Sequence, residues 1–172
     1  NTVLERATPV TLGLRYTLGY MLANFRRNNS LMSCLLFDKV FNPEECQRII
    51  DIPGHVETSS VSSGQSINTN IRNSTSKTLV DNIHTSWLFD RIMGLTSQVN
   101  REYFQFDIHS LEPIQVLKYE NSGFYSWHTD LGDIGLSTRK ISIIVFLSKR
   151  SDYEGGELQF SPNVTHSSAP CE

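Results

Sequence analysis

A nearly continuous apolar run, KISIIVFLS over Lys140–Ser148, is the feature that most constrains the fold of this chain. A short run rich in Ile, Val and Phe is typical of a buried β-strand. It is far shorter than the roughly 20 apolar residues that cross a bilayer. Pro113–Tyr119 and Glu157–Phe160 have a similar strand character, the latter directly after two glycines. The sequence therefore predicts a fold rich in strands and no membrane partner.

Near the amino end, Thr11–Met21 alternates between two kinds of side chain. A period of two is that of a strand whose faces differ. The pattern assigns Leu14, Tyr16, Leu18 and Tyr20 to one face, and Arg15, Thr17 and Gly19 to the other. By contrast, Thr58–Lys77 is rich in Ser, Asn and Thr, and we predict a long mobile loop or hairpin there.

Two helices are predicted. Asn42 is a good cap, Pro43 suits the first helical position, and Glu45 follows three residues after the cap. A second helix begins near Thr85 or Ser86 and carries apolar residues at spacings of three and four. These residues are Trp87, Leu88, Ile92, Leu95 and Val99. Many strands with few helices indicate a sandwich or barrel that carries helices on one side.

The composition narrows the classes of partner and compartment. The 172 residues carry a net charge of −3, so the strong basic excess of a nucleic-acid binder is missing. Cys34, Cys46 and Cys171 are odd in number and widely spaced, which predicts no disulfide framework and a reducing, cytoplasmic setting. The length predicts a single domain over residues 1–172.

His128 and Asp130 are the residues that indicate chemistry. Residues at i and i+2 of a strand project to the same face, so an imidazole and a carboxylate can hold one metal ion. A third protein ligand would complete the face that non-haem Fe(II) oxygenases use. The two residues close a longer pattern, Y-x-x-x-G-x-Y-x-x-H-x-D, which begins at Tyr119.

This pattern, followed by RKISIIVFLS and DYEGGELQF, resembles the prolyl-4-hydroxylase-like branch of the Fe(II)/2-oxoglutarate dioxygenases. The preceding WLFDRI, VNREYFQFDI and EPIQVLKYE resemble that branch too, so the likeness covers most of Phe37–Phe160. The resemblance implies a mostly β (α+β) fold, a double-stranded β-helix or jelly roll with supporting helices on one side.

In that family the third metal ligand is a histidine downstream, in a segment resembling L-H-R-x-T-P-V-T, with a basic residue ten positions later. Here the similar segment, LERATPVTLGLRY, lies at the start of the chain. It places Glu5 at the histidine position and Arg15 ten residues on, whereas His166 is interpreted as a loop histidine. The resemblance thus implies a circular permutation: residues 1–21 are displaced carboxy-terminal strands, 22–31 a joining segment, and 32–172 the main part.

The resemblance also implies the roles of the site residues. His128, Asp130 and Glu5 would bind the metal, with His128 and Asp130 the catalytic pair. Arg15 and Tyr119 would bind the far carboxylate of 2-oxoglutarate, and Tyr125 and Trp127 would line the substrate entrance. Arg72 follows the polar segment and has two interpretations, a residue that faces the substrate or, as we favour, a solvated charge. The implied cofactors are Fe(II) and 2-oxoglutarate, with ascorbate as a possible reductant. Molecular oxygen and a small-molecule or peptide substrate are the implied partners.

The implied activity is hydroxylation of an unactivated C–H bond, of a prolyl or another amino-acid side chain. Two alternatives stay open. Two carboxylates and one imidazole would weaken Fe(II) binding and suit Mn or Mg better than the usual triad does. In addition, we find no counterpart of a strand that the family has between the regions matching Glu172 and Asn1. The chain could be a jelly-roll binding module that has lost the full iron triad, or a metal enzyme or sugar-binding jelly roll outside this family. The sequence decides neither the substrate nor the oligomeric state.

Overall fold

The computed structural model describes residues 5–22, 25–27, 30–32, 35–59, 67–128, 130 and 139–160. Its strands are β1 (Glu5–Ala7), β2 (Val10–Gly13), β3 (Arg15–Leu22), β4 (Phe25–Arg27), β5 (Ser30–Met32), β6 (Val56–Thr58), β7 (Arg72–Asn73), β8 (Thr75–Leu79), β9 (Ile114–Tyr119), β10 (Phe124–His128), β11 (Ile141–Phe146), β12 (Tyr153–Gly155) and β13 (Leu158–Phe160). Its helices are α1 (Pro43–Asp51) and α2 (Ser86–Val99), with a π-helical turn over Asn100–Phe104 and a 3₁₀ turn over Arg150–Asp152. The described part of the chain is therefore mostly β, as the sequence predicted.

Two larger antiparallel sheets organise these strands. A four-stranded sheet has the order β13-β1-β10-β7, and a five-stranded sheet has the order β11-β3-β9-β8-β6. The shorter pairs are β12-β2 and β4-β5. The amino-terminal strands β1 and β3 lie inside the two larger sheets, each with a neighbour on either side. The first strands of the chain are thus internal parts of both sheets.

Strand β9 connects the two main apolar clusters because its alternate side chains are buried on opposite faces. Ile114 and Val116 face the helices, while Leu117 and Tyr119 face β1 and β2. The helix-side cluster consists of Phe41, Ile49, Leu79, Leu88, Phe89, Ile92, Ile114, Val116 and Leu147. The other cluster consists of Ala7, Val10, Leu117, Tyr119 and Tyr153. The second cluster places Tyr119 on the side of the sheet where Glu5 and His128 lie.

Both predicted helices are confirmed. The side chain of Asn42 accepts a bond from the Glu45 amide, and the Glu45 carboxylate accepts one from the Asn42 amide, so the cap is reciprocal. Helix α2 begins at Ser86 and buries Leu88, Phe89 and Ile92. None of the helices in the described ranges has the length and apolar character needed to cross a bilayer.

The prediction of one alternating strand over Thr11–Met21 needs a correction. Gly13 has a φ of +82°, and the strand breaks at Leu14 between β2 and β3. In β3 the polar residues Arg15 and Thr17 are buried, with 2% and 1% of their surface exposed. Arg15 and Thr17 are directed into the fold because they lie opposite the buried residues Tyr119 and Leu117 of β9.

Of the two alternatives predicted for the polar segment Thr58–Lys77, the described residues 58–59 and 67–77 favour the hairpin, because β6 and β8 pair antiparallel at its two ends. It contributes to β6, β7 and β8, and Ser59, Ser74 and Ser76 are buried. Lys77 is buried as well, and its ammonium group donates to the carbonyls of Ile50 and Ile52 at the end of α1. Composition misled here because buried polar groups are tolerated when each has a hydrogen-bond partner.

Several sequence interpretations fall outside the described residues. These concern Cys34, Cys171 and His166. The predicted joining segment over 22–31 partly coincides with β4 and β5, whose backbones pair from Phe25 opposite Met32 to Arg27 opposite Ser30.

Candidate metal centre

Glu5 and the pair His128 and Asp130, which are far apart in sequence, meet at one end of the four-stranded sheet. Glu5 of β1 lies directly opposite His128 of β10, and Asp130 follows two residues later. The Nε2 atom of His128 is 3.4 Å from Oε1 of Glu5 and 3.3 Å from Oδ1 of Asp130. One ligand atom from each residue lies within 4.8 Å of the others. The structure therefore brings together the three residues that the resemblance assigned to the metal.

A bulge in β10 sets the direction of His128. Glu5 pairs with His128 and Ala7 pairs with Tyr125, so two steps along β1 correspond to three along β10. An extra residue of this kind bends a strand and redirects its side chains. Consequently Tyr125 and His128, which would point to opposite faces of a regular strand, share one face.

The imidazole of His128 is held at both nitrogens. Nδ1 lies 2.8 Å from the Ser126 carbonyl oxygen, so Nδ1 donates there and Nε2 faces the two carboxylates. Burial lowers the pKa of His128, but hydrogen bonds to Asp130 and Glu5 outweigh it and raise the pKa to about 9. A metal ion at this place would replace the Nε2 proton.

Ser142 and Arg139 orient Asp130 through hydrogen bonds to oxygen atoms that do not face His128. Its Oδ2 accepts a hydrogen bond of 2.8 Å from Ser142 Oγ, and its backbone carbonyl accepts one from Arg139. Arg139 in turn makes a two-point ion pair with Glu112. Burial raises the pKa of Asp130, but the bond to His128 outweighs it and holds the pKa below its usual range. Asp130 is thus an oriented carboxylate with Oδ1 directed at His128.

Glu5 completes the cluster with a second carboxylate. Its side chain is only 13% exposed, and burial raises its pKa. Two largely buried carboxylates next to each other are costly unless a cation compensates them, and in the metal-free protein protonated His128 is that cation. One nitrogen and two oxygen donors suit a divalent ion of intermediate or hard character, such as Fe(II), Mn(II) or Co(II). The donor set therefore fits a metal of the kind that the resemblance implies.

Arg15 and Tyr119 form a polar group next to this centre. They are directly opposite in the β3–β9 ladder, and the guanidinium carbon of Arg15 is 4.7 Å from the Tyr119 ring centroid. One Arg15 nitrogen donates to the Gly156 carbonyl, whereas Nε has no partner among the described residues. Burial raises the pKa of Tyr119, while Arg72 and Arg15 lower it and Glu5 raises it. Tyr119 is therefore close enough to both arginines and to Glu5 for their charges to act on its hydroxyl group.

Arg72 is not the solvated charge that the sequence suggested. Only 8% of it is exposed, its Nε donates to Ser74 Oγ at 3.1 Å, and its guanidinium lies over the Tyr125 ring. Arg72 is directly opposite Tyr125 in the β7–β10 pair. The position opposite Tyr125 explains why Arg72 is buried, because a guanidinium group is stabilised by stacking on an aromatic ring.

Tyr125 and Trp127 occupy different surroundings. Tyr125 lies against His128, with ring centroids 3.5 Å apart. Trp127 is 41% exposed and carries the guanidinium of Arg6 on its ring, 4.6 Å from the centroid. Arg6 follows Glu5 in β1 and points to the opposite face of the sheet. The structure therefore brings Tyr125, but not Trp127, together with the acidic cluster.

Sequence reasoning missed the residues that support the centre. Ser142 and Arg139 bond to Asp130, and Arg72 contacts Tyr125. Ser142 lies inside the apolar run that was interpreted only as a strand. A polar residue on the buried face of such a strand is the signal that could have identified it, because it needs a buried partner.

Residues 114–171 match the family model of the 2OG-Fe(II) oxygenase superfamily. The match spans about a third of the chain and includes Tyr119, His128 and Asp130, but neither Glu5 nor Arg15. No curated protein and no solved structure matched the chain. The matched segment is therefore similar to the 2OG-Fe(II) oxygenase superfamily, and the mostly β fold is consistent with that class. This agrees with the sequence resemblance at the level of the superfamily.

Proposed function

We propose that this protein is an Fe(II)- and 2-oxoglutarate-dependent oxygenase that hydroxylates an unactivated C–H bond. The observation that carries the proposal is the convergence of Glu5, His128 and Asp130 beside the buried pair Arg15 and Tyr119. A metal-ligating cluster and a buried cation for a dicarboxylate are the two parts that such a reaction needs. The family match over residues 114–171 supports the same class.

The reaction consumes one molecule each of oxygen, 2-oxoglutarate and substrate, and releases succinate, carbon dioxide and the hydroxylated product. Fe(II), when bound, supplies the redox chemistry. Glu5, His128 and Asp130 would hold it on one side and leave its other positions open to ligands. His128 releases its Nε2 proton on binding, and Ser142 keeps Asp130 oriented. The protein thus contributes geometry and partial exclusion of water.

Arg15 and Tyr119 would hold the far carboxylate of 2-oxoglutarate. The planar guanidinium suits a two-point bond to a carboxylate, and the unpartnered Nε offers one further donor. Only 2% of Arg15 and 3% of Tyr119 are exposed, so a carboxylate placed there would be desolvated and strongly bound. A cation of this burial that forms no ion pair among the described residues is otherwise costly, which supports an anionic ligand as its partner.

The substrate that we propose is a prolyl or another amino-acid side chain, free or in a peptide. This rests on the resemblance of Y-x-x-x-G-x-Y-x-x-H-x-D and the flanking strands to the prolyl-4-hydroxylase-like branch. In that assignment Tyr125 and Trp127 belong to the substrate entrance. A panel of proline-containing peptides and free amino acids, analysed for a mass gain of one oxygen, tests this part.

We also propose a double-stranded β-helix whose last strands come first in the chain. The internal positions of β1 and β3 in the two larger sheets support this order. A rearranged chain in which residues 1–21 follow residue 172, and residues 22–31 are deleted, tests it. We expect this chain to fold and to bind the same metal, because the strands of the two larger sheets would keep their neighbours, and only the pair β4–β5 and the last residue of β3 would be lost. A rearranged chain that stays unfolded would contradict the assignment.

The decisive experiment for the activity is the conversion of 2-oxoglutarate to succinate with Fe(II) and oxygen. His128→Ala should abolish this conversion, whereas His109→Ala should leave it unchanged, because the side chain of His109 is 81% exposed. Equilibrium binding of 2-oxoglutarate is measured in parallel. Binding without turnover in any condition would favour the alternative of a binding module, and absence of both would contradict the proposal.

A further inference from the structure

Tyr125 and His128 form a stacked pair that the sequence pattern did not predict. Their ring centroids are 3.5 Å apart and their planes are inclined by 15°. Residues three apart on a regular strand point to opposite faces, so this contact depends on the bulge between β1 and β10. The bulge therefore does more than redirect His128, because it also places an aromatic ring flat against the imidazole.

The other face of the Tyr125 ring is covered by Arg72. The guanidinium carbon of Arg72 lies 4.6 Å from the ring centroid. Arg72 is anchored by the bond from its Nε to Ser74, whose hydroxyl donates to Ser59 at 2.9 Å. Guanidinium, phenol ring and imidazole thus form a column, which we call the Arg72–Tyr125–His128 stack.

From this stack we infer that Tyr125 and Arg72 are positioning residues for the metal centre, which hold the plane of the His128 imidazole so that Nε2 faces Glu5 and Asp130. The inference rests on the proposed function, because it takes His128 to be a metal ligand. The contacts of Nδ1 with Ser126 and of Nε2 with Glu5 and Asp130 restrain both nitrogens, but they leave the ring free to rotate about the axis that joins them. A flat ring pressed against the imidazole removes this freedom. Groups beyond the ligands commonly tune metal affinity in this way.

The test compares Tyr125→Phe, which keeps the ring, with Tyr125→Leu, which removes it. Tyr103→Leu is the matched control, since Tyr103 is an exposed tyrosine in the π-helical turn. Two quantities are measured: Co(II) affinity by visible absorption, and the ring proton signals of His128 in the metal-free protein. We expect Tyr125→Leu to weaken Co(II) binding by about 10- to 100-fold and to broaden or split the His128 signals. Tyr125→Phe and Tyr103→Leu should match the wild type.

Arg72→Met provides a second variant in case Tyr125→Leu does not fold. It removes the cation from the far side of the ring, and we expect Co(II) binding to weaken about 2- to 5-fold. Circular dichroism confirms that each variant is folded before the affinities are compared. A purely structural role for the stack would lower the melting temperature without changing the Co(II) affinity of the folded protein, and this result would overturn the inference.

Two other outcomes would also overturn it. If Tyr125→Phe loses as much affinity as Tyr125→Leu, the hydroxyl group and not the stacked ring is responsible. If Tyr125→Leu keeps both a wild-type His128 signal and wild-type Co(II) affinity, the stack positions nothing. A wild-type protein that binds no Co(II) would instead contradict the proposed function. In that case the His128 signals of the metal-free variants still decide whether the stack holds the ring.

Discussion

Glu5 and His128 face each other across the β1–β10 ladder, with Oε1 of Glu5 3.4 Å from Nε2 of His128. The two residues are separated by most of the chain, yet this distance lets both atoms bind one metal ion, since metal bonds to nitrogen and oxygen ligands measure about 2.0–2.2 Å. A carboxylate in this position gives the centre one imidazole and two carboxylates. The chemistry of the centre therefore depends on Glu5 as much as on the His128 and Asp130 pair.

Replacement of Glu5 should change both the strength and the selectivity of metal binding. Glu5→Ala removes one ligand, and we expect divalent metal affinity to fall by at least about tenfold, since even outer-shell changes cost that much. Glu5→His should raise the ratio of Co(II) to Mn(II) affinity, because imidazole suits the later metals and carboxylate suits Mn(II). Competition titrations of the two metals measure the ratio. An unchanged ratio in Glu5→His would exclude Glu5 from the ligand set.

Arg15→Met should separate ligand binding from stability. The variant keeps an apolar stem of similar length but loses the buried charge that the far carboxylate of 2-oxoglutarate would bind. We expect 2-oxoglutarate affinity to fall at least about 100-fold, as for loss of a buried charged hydrogen bond. The free energy of unfolding should fall by no more than about 1–3 kcal/mol, because the Gly156 carbonyl loses its donor while a poorly compensated buried charge is removed.

Calorimetric binding and denaturant unfolding measure these two effects. Arg101→Met is the control, since Arg101 is exposed and distant in sequence from the site. A variant that binds 2-oxoglutarate as tightly as the wild type would show that the cosubstrate carboxylate lies elsewhere.

The metal-free protein should lose stability as the pH rises through the neutral range. The pKa of His128 is raised from its ordinary value of 6.5 to about 9, with burial opposing and the bonds to Asp130 and Glu5 causing the rise. The stabilisation is complete below pH 6.5 and is lost as the pH approaches 9. The slope should reach about 1.4 kcal/mol per pH unit within that window. Urea unfolding with chelator at several pH values measures it, and His128→Ala should lack this component.

Metal affinity should change with pH in the opposite direction. A divalent ion must displace the Nε2 proton of His128, so its apparent affinity should rise by about tenfold per pH unit up to about pH 9. Co(II) titrations over the same pH series test this dependence. A flat profile would show that His128 is already neutral in the metal-free protein.

Lys77→Met should destabilise the fold without affecting the metal centre. The variant leaves the carbonyls of Ile50 and Ile52 at the end of α1 without their charged donor. We expect a loss of about 1–3 kcal/mol in the free energy of unfolding, the usual cost of unsatisfied buried acceptors. Lys140→Met, at an exposed position, is the control. Equal stability of the two variants would contradict the role of Lys77 as a helix-end donor.

Two glycine substitutions should have opposite effects. Gly156 has a φ of +68°, and a Cβ there would lie 2.9 Å from Val10 Cγ2 and 3.3 Å from Arg15 Cδ. Gly156→Ala should therefore cost about 1–3 kcal/mol and displace Arg15. Gly94→Ala should stabilise by roughly 0.5–1 kcal/mol, because Gly94 lies inside α2 and a Cβ there would contact nothing within 4 Å. Thermal unfolding compares the two variants directly.

The elements of the fold could largely be predicted from local sequence patterns. The reciprocal cap at Asn42 and Glu45 determined the start of α1, and the spacing of Leu88 and Ile92 determined the buried face of α2. The apolar run around Ile143 determined β11. These predictions held because capping and periodicity act over a few neighbouring residues, whose preferences the chain expresses before any long-range contact forms.

The surroundings of the candidate centre were decided only by the tertiary structure. The family resemblance predicted Glu5, His128 and Asp130 as candidate ligands. It did not predict the bulge that aligns Tyr125 with His128, nor the hydrogen bond from Ser142 to Asp130. Arg72 and Lys77 were expected in a polar, mobile segment and are buried. A local sequence pattern cannot show which distant strand will supply a hydrogen-bond partner. A buried polar group is stable only where the fold provides such a partner. Sequence alone therefore determined the strands, the helices and the candidate ligands, whereas the pairing of strands decided how those ligands are held.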